Sequence, residues 1–237
     1  MLDIRIADLQ IRIDNRVDYI KAFCREYCVH RGKADISIQI DVKAIDTERR
    51  AAGNEDYTDG YLETLAVYRM IGERLPLFDA FIFHAAVIEI DGLAYAFAAK
   101  SGTGKSTHIR HWKTLFGDRV TVVNGDKPIF RYIDGVLHAC GTPWAGKEGW
   151  QSNACVPLAG ICFLERGQSD NISPLHPAQA LALSLSQIYL PSERAAAEKT
   201  LSLLDRMLRE IPLWRLQCTD STHAAQVAYE DMLQKKN

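Results

Sequence analysis

The stretch AKSGTGKST, residues 99–107, decides how this chain folds, because it has the form of a phosphate-binding loop. An apolar run over 93–99 precedes it, and a segment with helical character over 105–116 follows it. In such a strand–loop–helix unit, backbone N–H groups point at polyphosphate oxygens and the helix N-terminus adds a favourable dipole. The alternative, a glycine-rich turn that only caps a helix, leaves the Lys-Ser-Thr ending unexplained.

The loop residues predict a nucleotide site with a metal ion. Lys105 is expected to reach the β- and γ-phosphates, and the Ser106 hydroxyl is expected to bind Mg²⁺. Ala99 stands where the usual pattern has glycine, which is a small change directly after a strand. The predicted nucleotide-binding residues are Ser101, Gly102, Thr103, Gly104, Lys105, Ser106 and Thr107.

Length, charge and hydropathy limit the class of protein. A chain of 237 residues, 47% of them hydrophobic, can bury a sizeable core. A net charge of −2 gives no electrostatic case for nucleic-acid binding. The sequence has no apolar run of about 18 residues and no secretory signal, so we expect a cytoplasmic protein without membrane association.

Six cysteines are scattered over the chain, at positions 24, 28, 140, 155, 162 and 218. In a cytosolic protein of this size we expect free thiols rather than disulfides. Cys24 and Cys28 are spaced to share a helix face, and His30 follows closely. A metal site there would need a further ligand, so helix cysteines that are at least half buried are the preferred interpretation.

Apolar periodicity predicts a small N-terminal α/β unit over residues 1–55 and a nucleotide-binding catalytic domain over 56–237. Within the first unit the pattern indicates strands over 4–13 and 34–42 and a helix over 18–29. The charged segment 47–60 is interpreted as a loop or linker. A helix is predicted over 61–75 and ends at Pro76.

Two hairpin signals flank the helix after the phosphate loop. Asp91-Gly92 separates apolar runs over 80–90 and 93–99, and Asp134-Gly135 separates runs over 129–133 and 136–140. Most phosphate-loop domains alternate strand and helix in a parallel sheet. We therefore predict an α/β fold whose phosphate-loop core has a mixed, partly antiparallel sheet. The remaining elements are a strand over 157–164, helices within 177–210 broken at Pro191, a strand over 213–218 and a helix over 221–233.

Two polar residues near the loop are candidates for the chemistry. Asp126 ends the strand that follows the loop helix, where a carboxylate commonly faces the metal ion or the attacking nucleophile. The alternative is a turn aspartate that caps the next segment. His84, predicted mid-strand, either assists proton transfer or hydrogen-bonds a phosphate, or is a structural histidine.

The segment GTPWAGKEGW, residues 141–150, combines glycine hinges, aromatic rings and paired charges. Lys147 would neutralise phosphate charge, and Glu148 would bind metal or orient a substrate amine or hydroxyl. The alternative is a solvated loop. Arg131 and Lys127 are further cation candidates for phosphoryl transfer, or else surface charges.

Together these motifs resemble the HPr kinase/phosphorylase-related group, whose catalytic core shares its fold with ATP-dependent phosphoenolpyruvate carboxykinase. The resemblance covers residues 60–235 and is strongest to short relatives associated with peptide natural-product clusters. The matching segments are HAA (84–86), DG (91–92), KSGTGKST (100–107), NGDKP (124–128) and GTPWAGK (141–147).

The resemblance implies an ATP- and Mg²⁺-dependent kinase that phosphorylates a serine-like hydroxyl of a peptide, small protein or metabolite. It implies that Asp126 acts as base and metal contact, that His84 assists, and that Lys105 and Lys147 stabilise the transferred group. It also allows a homo-oligomer.

One departure from the family concerns its aspartate pair, which maps onto Gly125-Asp126 and leaves one carboxylate. Asp126 then serves both roles, or Asn124 compensates, and the reverse phosphorylase activity is in doubt. The alternatives are an ATP-binding regulatory module without phosphotransfer and a carboxykinase-like decarboxylase. The decarboxylase would need a second metal site and an arginine that the sequence does not supply.

Overall fold

The computed structural model describes residues 1–233 and shows a mixed α/β protein. The strands are β1 (Leu2–Ile6), β2 (Leu9–Asp14), β3 (Ile36–Gln39), β4 (Ala80–Ile82), β5 (Ala86–Ile90), β6 (Leu93–Ala98), β7 (Val120–Asn124), β8 (Ile129–Ile133), β9 (Val136–Cys140), β10 (Cys155–Arg166), β11 (Asn171–Pro174) and β12 (Leu213–Cys218). The helices are α1 (Tyr19–Phe23), α2 (Val42–Ala52), α3 (Asp59–Gly72), α4 (Lys105–Phe116), α5 (Pro177–Leu185), α6 (Arg194–Glu210) and α7 (Thr222–Leu233).

The N-terminal strands form their own sheet in the order β1-β2-β3. β1 and β2 are antiparallel, and Ala7 and Asp8 between them both have positive φ angles, 51° and 55°. Alternate isoleucines of these strands, such as Ile4, Ile6 and Ile11, are fully buried on one face. The expectation of strands here is confirmed, as the period-two pattern requires.

One expectation for the N-terminal unit is wrong. The segment over 47–60 is not simply a loop, because α2 extends to Ala52 and α3 begins at Asp59. The Asp41 carboxylate caps α2 by accepting from the Ala44 backbone N–H at 2.8 Å. Ile45 is buried, while much of α2 is charged. The apolar stripe of α2 is therefore too narrow to predict a helix from the sequence.

The boundary at residue 55 stays a prediction. The structure shows that α3, which follows that boundary, packs on the first sheet and contributes Leu62, Ala66 and Ile71 to its core. Trp144, from the second half of the chain, is part of the same buried cluster.

The larger sheet, within the described residues, is mixed as expected and has the path β4-β8-β9-β10-β6-β5-β7. β6, which leads into the phosphate loop, is antiparallel to β5 and parallel to β10. β10 is twelve residues long and pairs in turn with β9, β6 and β12. It joins two parts of a curled sheet, and α4 follows β6 at the edge where the loop lies.

Both predicted hairpins of the larger sheet are confirmed. Asp91 and Gly92 have φ angles of 54° and 77°, and Asp134 and Gly135 have 49° and 83°. Two consecutive left-handed residues give the turn whose twist matches antiparallel strands.

The single strand predicted over 80–90 is interrupted, and this corrects the mid-strand placement of His84. β4 ends at Ile82 and β5 begins at Ala86, because β4 pairs with β8 whereas β5 pairs with β6 and β7. His84 lies in the break between β4 and β5, where its backbone N–H donates to the Gln187 carbonyl at 2.7 Å. The next N–H, of Ala85, donates to the Asp126 carbonyl at 3.1 Å, which brings the backbones of 84 and 126 together.

A disulfide joins Cys140 of β9 to Cys155 of β10, so the expectation that the cysteines are free thiols is wrong for this pair. The two residues are directly opposite each other in the antiparallel ladder, a register that sequence spacing cannot reveal. The other cysteines, all within residues 1–233, are free thiols. Across the same residues, the structure contains no helix with both the length and the apolar character that crossing a bilayer requires.

Candidate functional site

The loop predicted to bind phosphate connects β6 to α4, and two of its glycines have left-handed conformations. Gly102 has a φ angle of 78° and Gly104 of 120°, values that residues with side chains rarely adopt. A Cβ at either position would meet nothing within 4 Å, so the glycines serve the backbone path rather than a crowded contact. Their conformations let successive N–H groups line a concave loop ahead of the α4 N-terminus.

Lys105 opens α4 and turns back over the loop. Its Nζ donates to the Ala99 carbonyl oxygen at 3.0 Å, which confines the ammonium group to the loop. Burial lowers the pKa of Lys105, and the negative charge of Asp126 opposes that shift. A half-buried cation at this loop is a suitable partner for phosphate oxygens.

Arg166, at the end of β10, supports the loop from outside. Its Nη2 donates to the Gly102 carbonyl at 2.7 Å and its Nε to the Thr103 carbonyl at 3.2 Å. These two bonds fix the positions of the loop carbonyls of Gly102 and Thr103. Nothing in the local sequence marks Arg166, because β10 is brought beside β6 only by the sheet.

A cavity of about 550 Å³ opens over the loop and collects most of the predicted site residues. Thr103 faces neighbouring cavities instead. Cations outnumber carboxylates in the lining, as a polyanion site requires. The charged and titratable groups of the lining are Lys105, Arg110, Lys147, Arg166, His84, Asp126 and Glu148.

Asp126 and His84 form a hydrogen-bonded pair in this cavity, with Oδ1 and Nε2 separated by 2.9 Å. The Gln187 side-chain amide is satisfied when its NH₂ group faces His84, where it donates to Nδ1 at 3.1 Å. His84 Nε2 is thus the ring nitrogen that faces the Asp126 carboxylate, and Nδ1 faces Gln187. Gln187 is a site residue that sequence reasoning missed, since no motif surrounds it.

The environment of Asp126 favours its ionised form. Burial acts to raise its pKa, but the His84 hydrogen bond and the charges of Lys127 and Lys105 outweigh it, so the pKa lies below its ordinary value. Asp126 is therefore a carboxylate at neutral pH. It has the charge state required of a base or a metal ligand.

Asn124 positions Asp126 rather than supplying a second polar group to the cavity. Its side chain is fully buried, and its Oδ1 accepts from the backbone N–H groups of Asp126 at 2.9 Å and Lys127 at 2.7 Å. Its Nδ2 donates to the Thr142 carbonyl at 2.9 Å. Both ends of the Asn124 amide are engaged in hydrogen bonds that hold the turn. Asp126 therefore supplies the side-chain oxygens that this turn offers to the cavity.

Gly125 explains why the turn after β7 has one carboxylate. A Cβ there would lie 2.8 Å from the Ala145 carbonyl oxygen, which is too close for any side chain. The Gly125 N–H also donates to the Trp150 carbonyl at 2.9 Å. The segment 141–150 is thus laid directly over this turn, and the backbone contact excludes a second aspartate.

Both tryptophans of segment 141–150 are structural. Trp144 is buried and its Nε1 donates to the Thr64 carbonyl at 3.1 Å. Trp150 is half buried, with the Arg110 guanidinium 5.5 Å from its ring centroid. Arg110 also pairs with Glu148 at 2.7 Å, so this arginine and carboxylate bind the segment to α4.

The cation candidates separate in space. Lys147 is exposed and lines the cavity, and its role toward phosphate stays a prediction. Arg131 lies elsewhere, donating to the carbonyls of Ala7 at 2.6 Å and Phe78 at 3.3 Å, so it links a hairpin to the N-terminal sheet and corrects that expectation. Lys127 lines a second cavity beyond Asp126.

The residues at the loop fit a magnesium ion. Ser106 and Asp126 line the same cavity and offer a hydroxyl and a carboxylate, which are the oxygen ligands Mg²⁺ takes together with waters and substrate phosphates. Residues 1–233 hold no cluster of three or more His, Cys, Asp or Glu side chains that would bind a metal without a substrate. The metal role of Ser106 and Asp126 stays a prediction.

Comparison with known proteins gives one family and a distant fold likeness. The model of the family described as "SynChlorMet cassette protein ScmC" matches residues 60–226. Among solved structures, the Hpr(Ser) kinase/phosphatase from Coxiella burnetii is similar over 66% of this chain and 99% of its own, with a TM-score of 0.37 and 11% identity. No curated protein matches the sequence.

Proposed function

We propose that this chain, which belongs to the ScmC family of SynChlorMet cassette proteins, is an ATP- and Mg²⁺-dependent kinase acting on a serine-like hydroxyl. The observation that carries the proposal is one cavity lined both by the predicted phosphate loop and by an ionised Asp126 that is hydrogen-bonded to His84. The first feature suits the donor nucleotide, and the second suits activation of an acceptor.

The donor end of the proposed site consists of the loop and its helix. The loop amides and Lys105 would hold the β- and γ-phosphates, and Arg166 would keep the loop in shape. Mg²⁺, bound through Ser106, would supply charge neutralisation at the phosphate oxygens. Lys147, exposed at the rim, would approach the transferred group from the opposite wall.

The acceptor end centres on Asp126. The proton of the acceptor hydroxyl passes to the Asp126 carboxylate, the oxygen bonds to the γ-phosphorus, and the bond to the β–γ bridging oxygen breaks. ADP leaves with the electrons of that bond. His84 donates to Oδ1 and keeps the carboxylate ionised and oriented until the proton moves. Most of the rate enhancement would come from positioning and electrostatics.

Mass spectrometry of acceptors incubated with ATP and Mg²⁺ tests this function. The acceptors are free serine and threonine, short serine peptides and a small phosphocarrier protein. We expect a mass gain of one phosphate group on at least one acceptor, lost in Lys105→Ala and retained in the control Lys199→Ala, whose ammonium pairs with Asp79 away from the cavity. ATP binding without transfer to any acceptor would contradict a kinase and favour a regulatory nucleotide module.

A further inference from the structure

A second cavity, of about 390 Å³, lies directly beyond Asp126 from the phosphate loop. Its lining includes Asp126, Ala145, Gly146 and Lys147, all of which also line the first cavity. Gly146 allows this close arrangement, since even a Cβ there would lie 3.1 Å from the Asp126 Cβ. Asp126 therefore lines both cavities, and a group in the second cavity would lie next to it.

The walls of this second cavity are apolar and aromatic, unlike those of the first. Phe23 of α1 and Tyr61 and Leu65 of α3 form one wall, and Trp144 lies against the other. The Phe23 and Trp144 rings are 5.8 Å apart between centroids, so the two walls meet in one continuous surface. Helices α1 and α3 thus supply an apolar wall next to the proposed catalytic carboxylate.

Aromatic rings continue this surface out of the cavity. Tyr19 stacks on Phe23 with centroids 6.2 Å apart, and Tyr57 contacts Tyr61 at 4.8 Å. Tyr19 and Tyr57 are 47% and 39% exposed. Exposed aromatic residues grouped around a pocket are typical of surfaces that bind another chain, because they bury large area with few rotatable bonds. The surface is longer than the cavity and suits an extended occupant.

Two lysines supply polar contacts in this otherwise apolar cavity. Lys127 lies with its Nζ 5.2 Å from the Tyr68 ring centroid and 3.9 Å from Asp126 Oδ2. Lys147 lines the rim shared with the first cavity. An ammonium group donates hydrogen bonds and accepts none. Both lysines are therefore suited to the carbonyl oxygens of a peptide backbone.

From these observations we propose that the second cavity binds the acceptor as a peptide segment whose serine or threonine is flanked by apolar side chains. The flanking side chain fills the space between Phe23, Leu65 and Trp144, and the hydroxyl lies at Asp126. The inference rests on the proposed kinase function, and it assigns α1 and α3 to acceptor selection.

Phosphorylation of three matched acetylated and amidated tripeptides tests this assignment. They have serine flanked on both sides by leucine, by glycine or by aspartate, and free L-serine is the fourth acceptor. We expect kcat/KM for the leucine peptide to exceed that for the glycine peptide by about tenfold or more, because burying an apolar side chain gives discrimination of this size. The aspartate peptide and free serine should be poorer still.

The variant Leu65→Lys places a charge in the apolar wall and should abolish the leucine preference. The exposed helix residue Leu201 provides the matched control Leu201→Lys, which should retain it. Affinity for ATP by calorimetry should be the same in all three proteins. Tyr61→Ala serves as a second wall variant if Leu65→Lys does not fold.

Equal rates on the three tripeptides, free serine as good as the leucine peptide, or a preference that survives the wall variants would each overturn the assignment. If no acceptor is phosphorylated although ATP binds, the kinase proposal fails separately. Calorimetry of the leucine tripeptide, with a non-hydrolysable ATP analogue present, then tests whether the second cavity binds the peptide, independently of phosphoryl transfer. Binding that is lost in Leu65→Lys supports it, and absence of binding to the wild type contradicts it.

Discussion

His84 Nε2 lies 2.9 Å from Asp126 Oδ1, although one residue comes from the break between β4 and β5 and the other from the turn after β7. The backbone joins them as well, since the Ala85 N–H donates to the Asp126 carbonyl. Their contact is therefore built into the sheet rather than left to side-chain rotation. It places an imidazole and a carboxylate in the cavity over the loop between β6 and α4.

The pH dependence of phosphoryl transfer tests this contact. The hydrogen bond from His84 is one cause that lowers the Asp126 pKa, so its removal raises that pKa. Since the base must be ionised, we expect the acid limb of the kcat profile to move to higher pH in His84→Phe. In the control His138→Phe the acid limb of the kcat profile should stay in place. An acid limb that moves to lower pH in His84→Phe would contradict the expected rise of the Asp126 pKa.

Substitution of Gly125 tests the close approach of the 141–150 segment. Gly125→Ala puts a Cβ 2.8 Å from a carbonyl oxygen, which is backbone and cannot rotate away. We expect a loss of about 1–3 kcal/mol in the free energy of unfolding, as for other overpacked sites, together with reduced activity. Urea denaturation measures the first effect.

The matched control for this change is Gly32→Ala. Its Cβ would meet only the end of the Gln10 side chain, which can move. Equal stability of Gly125→Ala and the wild type would contradict the crowding at this turn.

The disulfide should stabilise the segment that covers the site. Cys140 and Cys155 are separated by 15 positions, and closing such a loop contributes about 3 kcal/mol in the chain-entropy model. Dithiothreitol should lower the free energy of unfolding of the wild type by about that amount. It should have no effect on the double variant Cys140→Ser/Cys155→Ser. Alkylation of all six cysteines in unfolded protein without reductant would show that the bond is absent.

Arg166 should control nucleotide affinity through the loop. Arg166→Ala removes hydrogen bonds to the carbonyls of Gly102 and Thr103, and the loop would lose its preorganised shape. Because Arg166 is exposed, we expect a moderate effect of about tenfold weaker ATP binding by calorimetry. The surface control Arg194→Ala, which breaks an ion pair with Glu198, should bind ATP normally. Unchanged ATP affinity in Arg166→Ala would show that Arg166 does not support the loop.

Features carried by neighbouring residues could be predicted from the sequence. The two Asp-Gly hairpins, the helix after the loop and the mixed sheet follow from turn chemistry and apolar runs, and the structure confirms them. The break between β4 and β5 at His84 could not be predicted, because an apolar run does not show that its two halves pair with different strands.

The parts of the site that escaped prediction depend on tertiary pairing. Gln187 and Arg166 reach the site through the sheet and carry no local motif. The same holds for the pairing of Cys140 with Cys155, which depends on strand register. Arg131 was a reasonable cation candidate by charge, yet its neighbours in space are backbone carbonyls of other elements.

Single-turnover phosphoryl transfer by Asp126→Asn tests the account most directly. Asparagine keeps the size and an oxygen acceptor for His84 but cannot take the acceptor proton. With Asp134→Asn, a change in an exposed hairpin turn, as control, we predict nearly unchanged folding and ATP affinity in both variants. We also predict a rate about 10²- to 10⁴-fold lower in Asp126→Asn alone. A rate within twofold of the wild type would show that Asp126 is not the base.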